Sequence, residues 1–248
     1  VTYFQFYIVE EIIMKGKLYG IGVGPGDSEL MTVKAARLVG EADIIITPKT
    51  EKKDGSVALN IAQPYIQDHT EIVPVVFPMV FHAETLSDAW LEAKNIIVSY
   101  LEAGKNVVFL TLGDPMFYST YMYVYRLVEN TGYEIETVPG VPAFCAIGSH
   151  LGYPIVEKEE VLAIVPATAS KEKIDAVLAV ADDAVIMKVY KNFNEVQETL
   201  VKHNMADDAV MISRVGLPDE EVYIGLDQMP ADTKLNYLST ILAKRKDR

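Results

Sequence analysis

Apolar residues in this chain come in short unbroken runs, and each run ends in a cluster of turn residues. The clearest case is Val107-Val108-Phe109-Leu110-Thr111-Leu112, followed by Gly113-Asp114-Pro115. A continuous apolar run of this length is the pattern of a strand covered on both faces of a parallel sheet. It breaks where a permissive glycine precedes a proline of fixed φ. Ser119 and Thr120 then read as a helix start, and the apolar stripe from Tyr121 to Val128 as its body. An earlier stretch has the same form: the run into Gly20-Ile21-Gly22-Val23-Gly24-Pro25-Gly26-Asp27 ends ahead of a helix from Thr32 to Gly40. In open α/β sheets, small ligands bind beyond the carboxyl ends of the strands. Two such loops suggest one shared site.

The same reading gives alternating elements along the first part of the chain. Lys17 to Val23 and Asp43 to Thr47 are predicted strands, with a helix from Thr32 to Glu41 between them. Val57 to Ile66 reads as helical, Glu71 to Phe77 as extended and Glu84 to Ala103 as a long helix. After the strand ending at Leu112 and its helix come a strand from Glu134 to Val138 and a helix from Ala143 to Leu151. Strands alternating with helices predict a mainly parallel sheet in an α/β domain. From Glu160 the elements shorten: strands are expected at Glu160 to Val165, Ala184 to Val189, Ala209 to Ser213, Val222 to Gly225 and Leu235 to Leu242. Two of these follow a short turn, which predicts a mixed sheet. The boundary is placed where Gly152, Tyr153 and Pro154 meet charged residues. That gives an N-terminal domain over 14–154, a C-terminal domain over 155–248 and an upstream extension or expression remnant over 1–13, with an extra edge strand as the alternative for the last.

Composition narrows the function. The 248 residues are half apolar, enough for a proper core, and no run approaches the roughly 18 residues of a membrane span. Residues 1–13 are apolar but carry Glu10 and Glu11 and lack a basic start, a poor signal peptide. A single cysteine, Cys145, allows no internal disulfide and suits a reducing cytoplasm. His69, His82, His150 and His203 show no metal-ligand spacing, so no metal site is expected. The net charge of −13 argues against nucleic acid, whose binding rests on Lys and Arg neutralising phosphate. The glycine turns fit neither G-x-G-x-x-G nor the P-loop spacing. Each turn alone could be an ordinary strand-to-helix connection.

Three turns together carry more. Gly22-Val23-Gly24-Pro25-Gly26-Asp27, the loop from Leu112 to Thr120, and Val138-Pro139-Gly140-Val141-Pro142-Ala143 resemble the tetrapyrrole (corrin/porphyrin) methyltransferases, over nearly the whole chain from Met14. Phe77-Pro78-Met79 with Trp90, the stretch after Pro115, and Ser213-Arg214-Val215-Gly216-Leu217-Pro218 are most similar to the branch that acts at C-20 of precorrin-2 or cobalt-factor II. The resemblance implies two α/β domains with S-adenosyl-L-methionine (SAM) in the cleft between them, a homodimer, and a role in cobalamin biosynthesis.

It also implies site residues. For the cofactor these are Pro25, Leu112, Gly113, Asp114, Phe117, Ser119, Thr120, Pro142 and Ala143, and from the second domain Met187, Tyr190, Val215 and Thr240. Ser119 and Thr120 would offer hydroxyls and a helix N-terminus to a carboxylate. A tetrapyrrole rimmed by carboxylates needs cations, and Lys49, Lys191 and Arg214 follow predicted strands. Arg214 is the best of the three, because a guanidinium can grip a carboxylate with two parallel hydrogen bonds.

Methyl transfer from a sulfonium demands mainly alignment. A base is needed only for the proton left on the ring, and Asp27, Asp114, Tyr118 and His82 are the candidates, with helix capping an alternative role for Asp27. Other readings remain open: a methyltransferase acting on another ring carbon or in the siroheme pathway, one that modifies a protein, or a tetrapyrrole-binding protein without activity.

Overall fold

The computed structural model describes residues 15–49, 56–76, 83–230 and 233–246. Residues 1–13, Phe77-Pro78-Met79 and His82, all used in the sequence reading, lie outside the described residues.

The first sheet has the order β3-β2-β4-β1-β5. Its strands are β1 (Lys17–Gly22), β2 (Ile44–Lys49), β3 (Glu71–Val76), β4 (Val107–Thr111) and β5 (Glu134–Val138). The pairs β2–β3, β2–β4 and β1–β5 run parallel. Every residue of β4 is buried, as its unbroken apolar run requires of a central strand. The helices of this part are α1 (Val33–Gly40), α2 (Val57–Ala62), α3 (Ala83–Glu102) and α4 (Tyr121–Val128). Each buries one stripe: Ala35, Leu38 and Val39 on α1, and Tyr121, Val124 and Val128 on α4. One core gathers Leu18, Ile46, Ile97, Leu101, Phe109 and Tyr121. Gly20 sits in mid-strand because the ring of Tyr121 takes the space of a side chain: a Cβ there would lie 2.0 Å from Tyr121 Cζ. The Tyr121 hydroxyl is 2.9 Å from Thr137 Oγ1. On the β1–β5 edge, the Lys17 ammonium meets Glu134 at 2.5 Å and Glu136 at 2.7 Å, and Lys34 also reaches Glu136. These cations hold the Glu136 carboxyl down at about 2.

The second sheet is mixed, with the order β6-β7-β10-β8-β9. It comprises β6 (Leu162–Pro166), β7 (Asp183–Met187), β8 (Val210–Ser213), β9 (Glu221–Ile224) and β10 (Ser239–Lys244). β6 and β7 are parallel, while β10 runs antiparallel to β7 and β8, and β9 antiparallel to β8. Helices α6 (Lys171–Val180) and α7 (Phe193–Lys202) share a core with Ile186, Met211 and Ile241. The other core packs α5 (Ala143–Leu151) with Val185, Val210, Ile212 and Leu242. Arg245, just beyond β10, donates to the carbonyls of Leu178, Ala181 and His203, and so closes the carboxyl ends of α6 and α7.

Three expected strand bounds need correction, the first being the strand expected from Ala184 to Val189, which is Asp183–Met187 because Lys188 turns left-handed at φ 59°. The last strand is not Leu235 to Leu242 but Ser239–Lys244, because a turn in which Asn236 Oδ1 accepts from Leu238 N and Asn236 O from Ser239 N delays it. The preceding strand ends at Ile224 and not at Gly225, whose φ of 70° breaks the ladder. The sequence reading also named no helix at α6 or α7.

By contacts the described residues form two compact units. The second comprises Gly22–Thr32, Leu112–Phe117 and the chain from Pro139 onward; the first holds the rest. This division falls elsewhere than at 154, because α5 lays Ala146 and Ile147 on the second sheet. Among the described residues no helix is long and apolar enough to cross a membrane.

Candidate functional site

All three turns singled out in the sequence contribute to the second unit, where main chain lies directly on main chain. Gly24 and Gly113 form an isolated antiparallel bridge, with Gly113 N donating to Gly24 O at 2.8 Å and Gly24 N to Gly113 O at 3.3 Å. The third turn is pinned to the second by Asp114. Its Oδ1 accepts from Met116 N at 2.8 Å and its Oδ2 from Gly140 N at 3.0 Å. A Cβ on Gly140 would stand 2.1 Å from Gly113 O, and one on Gly22 2.5 Å from Gly140 N. The first turn also lies against the loop after β8: a Cβ on Gly26 would be 2.2 Å from Val215 O. Glycine is required at these places by close approach of backbone.

Gly113 is different. Its φ is 70°, yet a Cβ there would meet nothing nearer than Val141 O at 4.0 Å. The bend demands glycine, and one side of the loop stays open.

The predicted site residues fall into three groups. Pro25 is buried between Gly24 and Gly26, and Val215 is buried beside them. Leu112, Gly113, Asp114 and Phe117 form the second turn, with the Phe117 ring 5.5 Å from that of Phe144 on α5. Pro142 caps α5 with extended backbone, and Ala143 is its first residue. These the second unit brings together. Met187 and Thr240 are neighbours across β7 and β10 in the same unit. Tyr190 is 47% exposed, and the Lys191 ammonium lies over its ring at 5.9 Å.

Ser119, Thr120, Tyr118 and Lys49 belong to the first unit. Ser119 Oγ accepts from Tyr121 N at 3.0 Å, whereas Thr120, the N-cap of α4, makes no side-chain capping bond and is exposed. Lys49 ends β2. Asp27 caps the 3-10 turn Ser28–Leu30 by accepting from Glu29 N at 2.8 Å; the turn, and not α1, is what it caps. Arg214 has φ 60° and donates from Nε to Asp219 Oδ1 at 2.5 Å, which holds the Asp219 carboxyl below its usual range. A carboxylate ligand has to displace Asp219 to use that nitrogen.

Two residues were missed by sequence reasoning. Lys188 follows Met187 with φ 59°, half-buried, and burial lowers its ammonium below the usual lysine value. Glu220 accepts from Gly216 N at 2.7 Å and meets His150 Nε2 at 3.1 Å, tying the Val215-Gly216 turn to α5. Neither carries a local signal, since a lysine or glutamate among turn residues reads as surface. Among the described residues, no group of three or more His, Cys, Asp or Glu is placed to hold a metal ion.

The family model of the tetrapyrrole (corrin/porphyrin) methylases matches residues 17–228. The chain belongs to this family. A cobalt-precorrin-2 C(20)-methyltransferase from Salmonella typhimurium is 35% identical over 233 residues, 94% of this chain and 98% of that protein. A precorrin-2 C(20)-methyltransferase from a Sinorhizobium species is 30% identical over 235 residues, covering 92% and 94%. Among solved structures, a uroporphyrin-III C-methyl transferase from Thermus thermophilus complexed with S-adenyl homocysteine has the same fold. Its TM-score is 0.68 at 20% identity, over 92% of this chain and 97% of that one. This chain has one parallel and one mixed sheet, and the turns after β1, β4 and β5 are locked by glycines and by Asp114.

Proposed function

We propose that this methylase transfers a methyl group from SAM to C-20 of precorrin-2 or of its cobalt form, a step of cobalamin biosynthesis. The observation that carries the reading is the joined set of turns, held by Asp114 and open at Gly113, in a chain that matches C-20 methyltransferases over 94–98% of their length. A SAM molecule suits these turns: Gly113 leaves room for a ligand, loop backbone offers hydrogen bonds, and the half-buried Phe117 and Met187 offer apolar surface.

SAM, when bound, supplies an electrophilic methyl group on a good leaving group. The task left to the protein is alignment, which is worth several kcal/mol where geometry is held rigidly. Main-chain contacts between glycines and the two bonds to Asp114 give that rigidity. Both carboxylate oxygens of Asp114 already accept backbone amides, and Asp27 accepts one, so we assign both a scaffold role and not that of base. Arg214 and Lys191, in the loops leaving β8 and β7, are proposed to meet substrate carboxylates.

A homodimer completes the proposal, two-fold dimers being the commonest of closed oligomers. Sedimentation at the chain mass of 27.5 kDa would remove that part. The reading is tested by initial rates of methyl transfer with the cobalt-free and the cobalt-bearing substrate, together with calorimetric titration of S-adenosylhomocysteine. Binding of that product and transfer to one of the two substrates is the expected result; binding without transfer to either would favour a non-catalytic tetrapyrrole-binding protein.

A further inference from the structure

The three turns of the site are joined in series: Gly24 bridges to Gly113, and Asp114 reaches across to Gly140 N. A series has two ends, here the first turn at Gly26 and the third at Pro142, where α5 begins. The chain supplies a route between them. α5 runs from Ala143 to Leu151, about 13 Å at 1.5 Å per residue, and carries His150 in its last turn. His150 Nε2 lies 3.1 Å from Glu220 Oε1. The other oxygen of Glu220, Oε2, accepts from Gly216 N at 2.7 Å. Gly216 in turn lies on the first turn, since a Cβ added to it would stand 2.9 Å from Asp27 N. The joints therefore close into a ring, all of it within the second unit.

Glu220 is placed for this by the backbone. Leu217 N donates to Arg214 O and Glu220 N to Leu217 O, both at 3.0 Å, and these two successive turns bring the carboxylate back to the amide of Gly216. Its side chain is only 20% exposed. A bond of 2.7 Å from an amide to a carboxylate is of the strong, charge-assisted kind. Val215 also packs with Ala146 and Ile147 of α5, but apolar packing has no direction. Direction comes from the carboxylate. The N–H that Glu220 holds and the carbonyl of Val215 belong to one planar peptide unit, so fixing one aims the other. That carbonyl is the group on which Gly26 lies, 2.2 Å from where a Cβ would stand.

Resting on the function proposed above, we infer that Glu220 is a positioning residue for the cofactor, acting through the Val215-Gly216 peptide, with His150 anchoring it to α5. The closed ring fixes the first turn against the third, and with it the room left beside Gly113. Glu220 and His150 touch neither cofactor nor substrate in this role, and neither moves a proton. A ring differs from a series in one measurable way. Once one joint is broken the turns relax, so breaking a second joint loses less than it would alone.

The test measures S-adenosylhomocysteine affinity by calorimetric titration, and kcat and KM for SAM with precorrin-2 or its cobalt form, in variants of the whole chain. Glu220→Ala is expected to weaken product binding about tenfold and to raise the KM for SAM as much, with kcat at saturating SAM within about threefold. Glu220→Gln keeps an oxygen for Gly216 N and is expected to bind product within about twofold of the parent. His150→Ala breaks a half-exposed pair and is expected to weaken product binding about three- to fivefold. Glu220→Ala combined with Asp114→Asn is expected to lose about 10- to 20-fold in all, not the roughly hundredfold of independent sites. Arg245→Ala, which loosens the carboxyl ends of α6 and α7, is the control for plain destabilisation and is expected to keep the parent affinity. Parent affinity in Glu220→Ala or His150→Ala overturns the inference, as do a multiplied loss in the double variant, failure of glutamine to rescue, or an equal loss in Arg245→Ala. If Glu220→Ala does not fold, Glu220→Gln and His150→Ala still decide. The proposed function fails separately, when the parent binds S-adenosylhomocysteine yet methylates neither tetrapyrrole, and the affinity comparison then still decides the ring. A parent that binds no S-adenosylhomocysteine overturns both.

Discussion

Replacing Asp114 by Asn probes the joint between the second and third turns. The carboxylate accepts two backbone amides, Met116 N at 2.8 Å and Gly140 N at 3.0 Å. Asparagine keeps the shape but has one oxygen acceptor, so one amide is left facing an NH2 donor. Hydrogen bonds to a charged group contribute about 1.5–3 kcal/mol each when partly buried, and Asp114 is half-buried. We expect Asp114→Asn to lower unfolding stability by about 2 kcal/mol and Asp114→Ala by about 3–5 kcal/mol, since alanine forfeits both bonds. Because Gly140 and Gly113 pack so closely, loosening this joint also shifts the loop proposed to hold the cofactor. Product affinity is expected to fall about tenfold or more in Asp114→Asn, the equivalent of about 1.4 kcal/mol. Urea denaturation followed by circular dichroism gives the first quantity and calorimetric titration of S-adenosylhomocysteine the second. A variant within about 0.5 kcal/mol of the parent, a change typical of a plain surface substitution, with unchanged product affinity, refutes the assignment of Asp114 as the joint.

Two glycines should separate conformation from space. Gly113→Ala meets no atom within contact range and is expected to cost about 1–2 kcal/mol, from φ alone. Gly140→Ala drives a Cβ to 2.1 Å from Gly113 O and should cost about 3 kcal/mol or more, so equal melting temperatures would contradict the packing described. Asp183, at the start of β7, is 2% exposed, with one oxygen 3.6 Å from Lys244 and the other without a hydrogen-bond partner, and burial pushes its carboxyl up to about 6. The folded state therefore holds the proton more tightly than the unfolded one, and stability present at low pH is lost as pH rises from about 4 to about 6. Asp183→Asn should remove about 1–2 kcal/mol of that dependence and stabilise the protein at neutral pH; a denaturation series across pH with an unchanged slope contradicts this. Arg245→Ala frees the carbonyls of Leu178, Ala181 and His203 and is expected to destabilise by about 2–4 kcal/mol in urea, where a change near zero would mean that water replaces the guanidinium fully.

The sequence was most legible where one force dominates. Val107 to Leu110 are fully buried, so the apolar run alone identifies the central strand and the loop it delivers. The helices α6 and α7 were harder to see because their buried stripes are thin. Ile174 and Leu178 are the only residues α6 buries, and α7 spends one buried position on Thr199. Ser170 caps α6 by accepting from Lys173 N, a start signal present in the sequence but followed by three charged or basic positions within the first turn. At the site, the glycines could be recognised as turn formers, but not which ones are needed for φ and which for contact. Gly113 and Gly140 read alike in the chain; only the fold sets one open and the other against a carbonyl. The pairing of Arg214 with Asp219, five residues on, likewise depends on the turn between them and not on any pattern in the residues.

The central claim is that these locked turns serve methyl transfer to one carbon of a tetrapyrrole ring. The most direct measurement incubates the purified protein with isotopically methyl-labelled SAM and either precorrin-2 or its cobalt form, and locates the label in the product by nuclear magnetic resonance. A single labelled methyl group at C-20 is the predicted result. A label at any other ring carbon, or none on either tetrapyrrole while S-adenosylhomocysteine still binds, would contradict it.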